Sequence, residues 1–562
     1  MAQISGRLLP PILTLLLSVL LALAWLLPNH NQPWTTFQSE SWLAIVLLLV
    51  ASVVLLRAPF RVELPIASIV AVFMALLPWG QFLAGEIHSF GTAWINSIYL
   101  LGFSLAISVG WNWERRAPGE TMDFLFLAIT IASVVSVALQ VCQLLQIGDL
   151  DIWVLNGGRG RFSANLNQPN MLASLLLLGV IGVAWAYANE KLGALVSVLL
   201  VLWLLFGVQL TESRTAWLNM LALLIGFAVF WRIQRPKYLT LVLVGFAAYS
   251  VLAHFSIPIL NELFRSQETV SRGLYDAYRI AIWRESVDLL IQRPYFGYGW
   301  GQAQEAYLAA EGLPDFGGAL SHSHNIFIEL LLNNGVLLGG LLLVFFAAQF
   351  WQFFRNIRAP NFIFPFAAFW VLFVHAQLEL PLHYAYFLLP FGLILGVLSQ
   401  KSGLLVLLSV RKLFVVPALV LTAGLLALTI RDCFEVERTV HTIRYGNKGQ
   451  LKQLDDLPSL FVLTQWRDRL EFANAEPLSP LTEAKYQWMK GVVVSTPSPF
   501  MYFRLAQNLA LDGQSERARF WLSALCRASP EDYKKKLFAH WSELSTANSK
   551  YVAVNWKGCA LR

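Results

Sequence analysis

The chain has 562 residues, 57% of them hydrophobic and only 13% charged, with 21 Trp, and its mean hydropathy is +0.57. So few charges in so long a chain exclude an ordinary soluble enzyme and predict a polytopic membrane protein. The net charge of +7 is spread as single or paired Lys and Arg between apolar runs, with no basic stripe, so no nucleic-acid partner is expected.

A helix needs roughly 20 apolar residues to cross ~30 Å of hydrocarbon. Such runs fall at 9–28, 41–57, 64–84, 93–111, 122–146, 170–188, 193–210, 215–232, 238–255, 325–354, 361–377, 383–400 and 413–431, which predicts about 13 transmembrane helices in an all-α fold. A short apolar run at 404–410 reads as an extension of a neighbouring span. One Arg precedes the first run and no small-residue cleavage pattern follows Pro28, so it reads as a retained span.

Alternate connections carry Arg57 and Arg61; Arg115 and Arg116; Lys191; Arg232, Arg235 and Lys237; Arg355 and Arg358; then Lys401, Arg411 and Lys412. Arg7 lies on the same side, and the opposite short connections hold almost no basic residue except Arg159, Arg161 and Arg214. The positive-inside rule places the N-terminus in the cytoplasm, and an odd span count places the tail outside. Four regions result: a membrane region of about nine spans at 1–255, a large outer-side loop at 256–324, a second membrane region of about four spans at 325–431, and an outer-side helical domain at 432–562.

Within the large loop, Tyr278 to Ser286 has apolar residues at helical spacing. The following Pro294-Tyr295-Phe296-Gly297-Tyr298-Gly299-Trp300-Gly301 is turn-rich and should not be helical. The tail is broken by Pro477, Pro480, Pro497, Pro499 and Pro530, and the pattern from Leu505 to Pro530 resembles one tetratricopeptide-like (TPR-like) helix pair. Cys142, Cys433, Cys526 and Cys559 match no zinc or haem spacing. On the outer side Cys526 and Cys559 are candidates for a disulfide, the alternative being two free thiols.

Chemistry-bearing residues gather at outer helix ends. Ser321-His322-Ser323-His324-Asn325 stands where a polar loop becomes an apolar helix carrying Glu329. An imidazole there can accept a proton near neutral pH, and His324, abutting the helix start, is the preferred base. A metal pair at His322 and His324 lacks a third ligand at suitable spacing. Gly157-Gly158-Arg159-Gly160-Arg161 leads into Asn165-Leu166-Asn167-Gln168-Pro169-Asn170. Guanidinium forks suit a diphosphate, although a solvated loop touching lipid headgroups is the bland alternative. Arg214 sits in the tight turn Thr211-Glu212-Ser213-Arg214, either binding an anion or paired with Glu212. His375-Ala376-Gln377-Leu378-Glu379-Leu380-Pro381-Leu382-His383-Tyr384-Ala385-Tyr386 looks like a site wall, although its tyrosines also suit an aromatic belt.

Together these residues resemble the O-antigen ligase/O-antigen polymerase superfamily, and within it the bacterial protein O-oligosaccharyltransferase (PglL-like) branch. The matching pieces are Asn165 to Asn170, Ser213-Arg214, Arg279-x-x-x-Trp283, Pro294-x-x-Gly297-x-Gly299, His322-Ser323-His324-Asn325 with Asn334-Gly335, and Glu379-x-Pro381-x-x-Tyr384-x-Tyr386-Phe387. Pro78-Trp79-Gly80-Gln81 and the region to about Gly110 resemble the branch's N-terminal segment, and the polar tail its C-terminal domain.

The resemblance implies transfer of a preassembled glycan from undecaprenyl diphosphate to a Ser or Thr hydroxyl of an exported acceptor, commonly a pilin or pilin-like protein. It places the site on the periplasmic side of the bacterial inner membrane and requires neither metal nor cofactor. Carried onto this chain, His324 is the base, and Arg159, Arg161 and Arg214 are diphosphate contacts, with Arg279 and Arg284 as helpers. Gln168, Asn170, His322, Asn325, Gln377, Glu379, Tyr384 and Tyr386 complete the expected site. The competing readings are a ligase that passes O-antigen to lipid A-core, a transporter of lipid-linked glycans, and a non-catalytic envelope scaffold. The tail domain argues against the first, and polar groups at helix ends instead of mid-membrane argue against the second.

Overall fold

The computed structural model describes residues 7–57, 61–147, 153–155, 161–230, 245, 251, 277–309, 320, 322–357, 362–445, 457–477 and 479–559. The elements run α1 (Pro11–Ala22), α2 (Phe37–Leu56), β1 (Arg61–Pro65), α3 (Ile66–Leu83), α4 (Phe90–Arg116), α5 (Glu120–Leu144), α6 (Pro169–Ala188), α7 (Ala194–Leu210) and α8 (Arg214–Phe230). Then come α9 (Ala277–Gln292), α10 (Ala303–Ala309), α11 (Ile326–Asn356), α12 (Ile363–Ala376), α13 (Ala385–Lys401), β2 (Val406–Arg411) and α14 (Lys412–Tyr445). The tail adds α15 (Thr464–Asn474), α16 (Glu483–Ser495), α17 (Pro499–Leu511), α18 (Ser515–Ala528), α19 (Glu531–Ala547) and α20 (Ser549–Val552).

The chain is a mostly helical, polytopic membrane protein. Among the described residues seven helices, α2 to α6, α11 and α14 as far as Thr442, are long and apolar enough to cross a membrane. Four shorter apolar helices accompany them: α1 with its 3₁₀ extension, α7, α12 and α13. Leu15, Leu16, Leu195, Leu199, Phe414 and Leu421 stand exposed on such helices, as lipid-facing side chains do. The expected run at 238–255 lies almost wholly outside the described residues.

One correction concerns the all-α expectation. The 404–410 run is not an extension of a span. It supplies most of β2, which pairs antiparallel with β1 and sets Arg61 opposite Arg411 and Leu64 opposite Leu408. Strands of five and six residues are too short to show a clear period of two between apolar helices.

The structure forms two compact units, the first from residues 1–73, 99–275 and 346–426 and the second from 74–98, 276–345 and 427–562. In the first unit α5, α6 and α7 approach closely where side chains vanish. A Cβ on Gly179 would stand 2.5 Å from Ser133 Oγ, and that hydroxyl donates to Leu175 O at 3.0 Å; small residues and interhelical hydroxyl bonds are the usual adhesive of membrane helices. Among the described residues several of the basic connections meet at one end of this unit. There the β1–β2 pair joins two of them, Arg115 pairs with Glu63, and Lys401 reaches buried Glu114 at 2.8 Å. Asn112 of α4 exchanges hydrogen bonds with both backbone groups of Glu63 in β1, at 2.8 and 3.1 Å.

The second unit has a core in the tail helices, built on Tyr502, Leu505, Leu509, Trp521, Leu522, Leu525 and Trp541. α17 and α18 form the helix pair expected between Leu505 and Pro530, turning at Gly513 with φ 80°. Cys526 and Cys559 are disulfide-bonded with their Cα atoms 5.4 Å apart. Asp432, fully buried, receives the backbone N–H groups of Phe461, Val462 and Leu463 on one carboxylate oxygen at 2.7, 2.7 and 3.2 Å. That acceptor anchors the start of the tail domain to α14.

Candidate active site

Two polar clusters, one in each unit, contain several of the expected site residues. In the second unit Asn325 caps α11, its Oδ1 accepting from Phe327 N at 3.0 Å and Ile328 N at 3.2 Å, as a helix N-cap does. Glu329, one turn inside the helix, folds back towards the loop and is 3% exposed. It accepts from His322 Nδ1 at 3.0 Å and from Ser323 N and Ser323 Oγ, each at 2.8 Å. Where Glu329 is ionised it only accepts, and the proton of the pair then lies on His322 Nδ1. His324 lies between these anchors with φ +55°, in the left-handed region that a non-glycine residue enters at a cost. The loop carrying it is therefore pinned on both sides while its own backbone is strained.

The start of α11 is shaped further by a kink. Gly335 has φ 68° and ψ 178° inside the helix. The turn after α9 fills the break: Tyr298 N donates to Leu332 O at 2.7 Å, Gly299 N to Asn333 O at 3.2 Å, and Val336 N to Pro294 O at 2.7 Å. Trp300 Nε1 donates to Asn334 Oδ1 at 2.8 Å. Gln81 ties the pieces together, donating to Asn333 O at 2.8 Å and accepting from Trp300 N at 3.0 Å. The Pro294–Gly301 segment, Asn334-Gly335 and Gln81, far apart in the chain, are thus one assembly. Arg279 and Arg284 lie on α9, the first partly buried and the second exposed.

In the first unit Asn170, in the first turn of α6, is the centre. Its Oδ1 accepts from Arg161 Nη2 at 3.1 Å and Ser213 Oγ at 2.8 Å, and its Nδ2 donates to Glu379 Oε1 at 3.1 Å. Arg161 Nε also donates to Thr211 O at 3.0 Å. Gln168 caps α6 by accepting from Met171 N at 2.8 Å, and Ser213 Oγ accepts from Ala216 N at 3.3 Å where α8 begins with Arg214. Two helix N-termini and a guanidinium therefore meet beside the Glu379 carboxylate, and helix N-termini carry the partial positive charge that suits an anion. Ser174 Oγ and His375 Nδ1 pair at 2.8 Å one turn deeper along α6. Gln377 Nε2 donates to Phe373 O at 3.4 Å. Tyr384 and Tyr386 stack with centroids 5.2 Å apart. Arg159 and Ser321 lie outside the described residues.

Several supporting groups escaped the reading of the sequence. Gln140 and Gln143 of α5 hold the segment before α6: Gln140 Nε2 donates to Phe162 O at 2.9 Å, and Gln143 exchanges bonds with both backbone groups of Ala164 at 3.0 and 3.1 Å. The signal available was two amides three residues apart in an otherwise apolar span. Asn165, by contrast, was read in the sequence as the start of the amide run, and its Nδ2 donates to Leu26 O at 2.7 Å and Trp153 O at 2.9 Å. Glu40 of α2, 4% exposed, accepts from Tyr99 Oη at 2.6 Å and from Ala385 N, at the start of α13, at 2.7 Å. A lone Glu in the first turn of an apolar helix was its trace.

Helices long and apolar enough to cross a membrane, with described basic connections at one end and an amide–guanidinium–carboxylate cluster at the other, define a membrane protein with a polar site at its helix ends. Residues 199–345 match the family described as O-Antigen ligase, and residues 363–542 match that described as Virulence factor membrane-bound polymerase, C-terminal. The chain is 29% identical over 540 residues to the General O-oligosaccharyltransferase of Acinetobacter baylyi, covering 93% of each chain. It is 25% identical over 386 residues to the ComP-specific O-oligosaccharyltransferase of the same organism, covering 67% of this chain and 69% of that one. Two stretches of the chain thus match membrane-bound ligase and polymerase family models, and its similarity along nearly the full length is to an O-oligosaccharyltransferase.

Proposed function

We propose that the chain is a protein O-oligosaccharyltransferase, moving a glycan en bloc from undecaprenyl diphosphate to a Ser or Thr hydroxyl of a periplasmic acceptor such as a pilin-like protein. The observation that carries this reading is the similarity to the General O-oligosaccharyltransferase over 93% of both chains. An acceptor other than protein, as in an O-antigen ligase, is the second reading, favoured only by the shared family description.

In this reading the acceptor oxygen attacks the anomeric carbon while the bond from that carbon to the diphosphate oxygen breaks. The hydroxyl proton passes to His324, and the electron pair leaves on the diphosphate. Attack opposite the leaving group inverts the anomeric centre. Arg161 and Arg214, with the N-termini of α6 and α8, stabilise the charge that grows on the diphosphate; Arg159, Arg279 and Arg284 assist. Gln168, Gln377, Glu379, Tyr384 and Tyr386 shape the donor side. Asn325 and the His322–Glu329 pair hold the loop that presents His324, and preorganisation of that kind lowers the cost of orienting a weakly nucleophilic hydroxyl. The enzyme sits in the inner membrane with about 13 spans, its N-terminus cytoplasmic. The tail, including its TPR-like helix pair, is periplasmic, where the Cys526–Cys559 bond suits an oxidising compartment.

The test is coexpression with a candidate pilin and a lipid-linked glycan pathway. Wild type should add the glycan mass to the pilin and His324→Ala should not. A mass shift that persists in the variant removes His324 from the reaction.

A further inference from the structure

The second unit contains a cavity of about 650 Å³ that the reaction proposed above leaves unused. That is within the roughly 300–1,000 Å³ usual for small-ligand sites. Its walls come from the connection between α3 and α4 (Glu86), α9 (Glu285), the turn and helix that follow (Arg293, Gln302), and the tail helices α16 and α18 (Lys490, Trp521). The tail helices are fastened to this wall. Gln304 Nε2 donates to Tyr502 Oη at 2.8 Å, and Leu308 belongs to the tail core.

Two of the lining groups point to a ligand. Gln302 is 3% exposed, and among the described residues neither its amide nitrogen nor its amide oxygen has a hydrogen-bond partner. Trp521 is 1% exposed, and its indole N–H has no partner either. Buried polar groups are nearly always paired, so a donor–acceptor amide and an indole donor left open beside one cavity call for an explanation.

The charge balance restricts the answer. Two carboxylates, Glu86 and Glu285, face two cations, Arg293 and Lys490, along the wall, and Glu86 and Arg293 already pair at 3.1 Å. An anionic ligand such as a diphosphate gains little from so balanced a lining. Aromatic rings from Tyr298, Tyr486 and Trp521 alternate with these polar groups. A sugar ring suits that mixture, because it carries an apolar C–H face and a rim of hydroxyls that each donate and accept. The cavity also lies close to the histidine loop. Leu289, on its wall, packs in one small core with Tyr307 and with Leu332 and Ile328 of α11, the helix that Asn325 caps.

We propose that this cavity is a saccharide subsite that holds sugars of the donor glycan beyond the one bonded to the diphosphate. The inference rests on the transfer reaction, and it assigns Gln302 and Trp521 to glycan selection. The tail domain thereby contributes directly to the choice of donor.

The experiment uses the full chain in cells making undecaprenyl diphosphate with either one sugar or the complete neutral oligosaccharide, with acceptor modification read by intact mass. Gln302→Met keeps the side chain's length and removes the unpaired amide, and Trp521→Phe removes only the indole N–H and part of the ring. Each should lower the ratio of oligosaccharide to single-sugar transfer by about tenfold, the scale of a lost polar recognition contact. Gln302→Met should also leave the melting temperature of the purified protein unchanged or raise it, because an unsatisfied buried group is destabilising. An unchanged ratio in both variants, with wild type transferring both glycans, overturns the subsite alone. A marked fall in melting temperature for Gln302→Met assigns the amide a structural role and overturns it too. Equal loss of both glycans with a raised acceptor KM makes the cavity a peptide site and also counts against it. Wild type that transfers neither glycan overturns the reaction, and this inference with it.

Discussion

Glu329 does more than a carboxylate near two histidines promised. The sequence left it either orienting a neighbour or pairing with an outer-side arginine; the structure gives it His322 and both donors of Ser323. Removing it as Glu329→Ala leaves buried donors without an acceptor, at a cost of about 1–3 kcal/mol for each such group. Glu329→Gln retains an acceptor for Ser323 N but loses the charge that fixes the His322 proton on Nδ1. The expected order is therefore wild type, then Gln, then Ala in both melting temperature and transfer rate. Thermal unfolding beside an in-membrane transfer assay checks it, and a Glu329→Ala protein as stable as wild type would contradict it. Asn170 is a parallel case. Its Oδ1 faces donors and its Nδ2 faces Glu379, so Asn170→Asp keeps the first contacts and sets two carboxylates against each other. Transfer should fall about tenfold, with donor KM rising, because in the proposed reaction an added negative charge beside the N-termini of α6 and α8 opposes the diphosphate. Both residues were legible as candidates from their neighbours in the chain. Their partners were not, since Asn170 and Glu379 are 209 positions apart and no local pattern encodes such a pairing.

At the scale of elements, apolar length was the most readable signal. Runs such as 170–188 and 383–400 lie within a residue or two of α6 and α13, because a membrane span must satisfy every backbone group internally and so declares itself by hydropathy. The strands β1 and β2 escaped for the opposite reason: their pairing is long-range and their length minimal. The kink of α11 is intermediate. Asn334-Gly335 and the Gly-rich turn were each visible, yet not their contact, which depends on the absence of two Cβ atoms. A Cβ on Gly335 would overlap the Tyr295 carbonyl, and one on Gly297 would meet Leu332 O. Gly335 also has φ +68°, so Gly335→Ala combines a clash with a left-handed backbone. It should destabilise by more than about 1 kcal/mol and abolish transfer by displacing the start of α11. A denaturation curve and the pilin mass shift measure both; an unaffected protein would show that the turn and the kink do not depend on each other.

For the whole molecule the open physical question is the side of the membrane on which the tail domain folds, and the cysteines supply a chemical reporter. Cys526 and Cys559 are 33 positions apart and bonded, while Cys142 and Cys433 are not disulfide-bonded, one half-buried and one buried. Disulfides persist in oxidising compartments and are rare in the cytosol, so the bond agrees with the positive-inside reading of Arg57, Arg115, Lys191 and Lys401. The two arguments are independent, because one concerns redox chemistry and the other the charge of short connections. Protein taken from membranes, denatured and alkylated without reductant should gain two labels, on Cys142 and Cys433, and four only after reduction. Closing a loop of that length stabilises by about 3–4 kcal/mol in the chain-entropy picture. Reduction, or the paired change Cys526→Ser with Cys559→Ser, should therefore lower the unfolding temperature of the tail domain. Full labelling without reductant would put the tail in a reducing compartment, and the acceptor proposed for it, an exported protein, would be on the wrong side of the membrane.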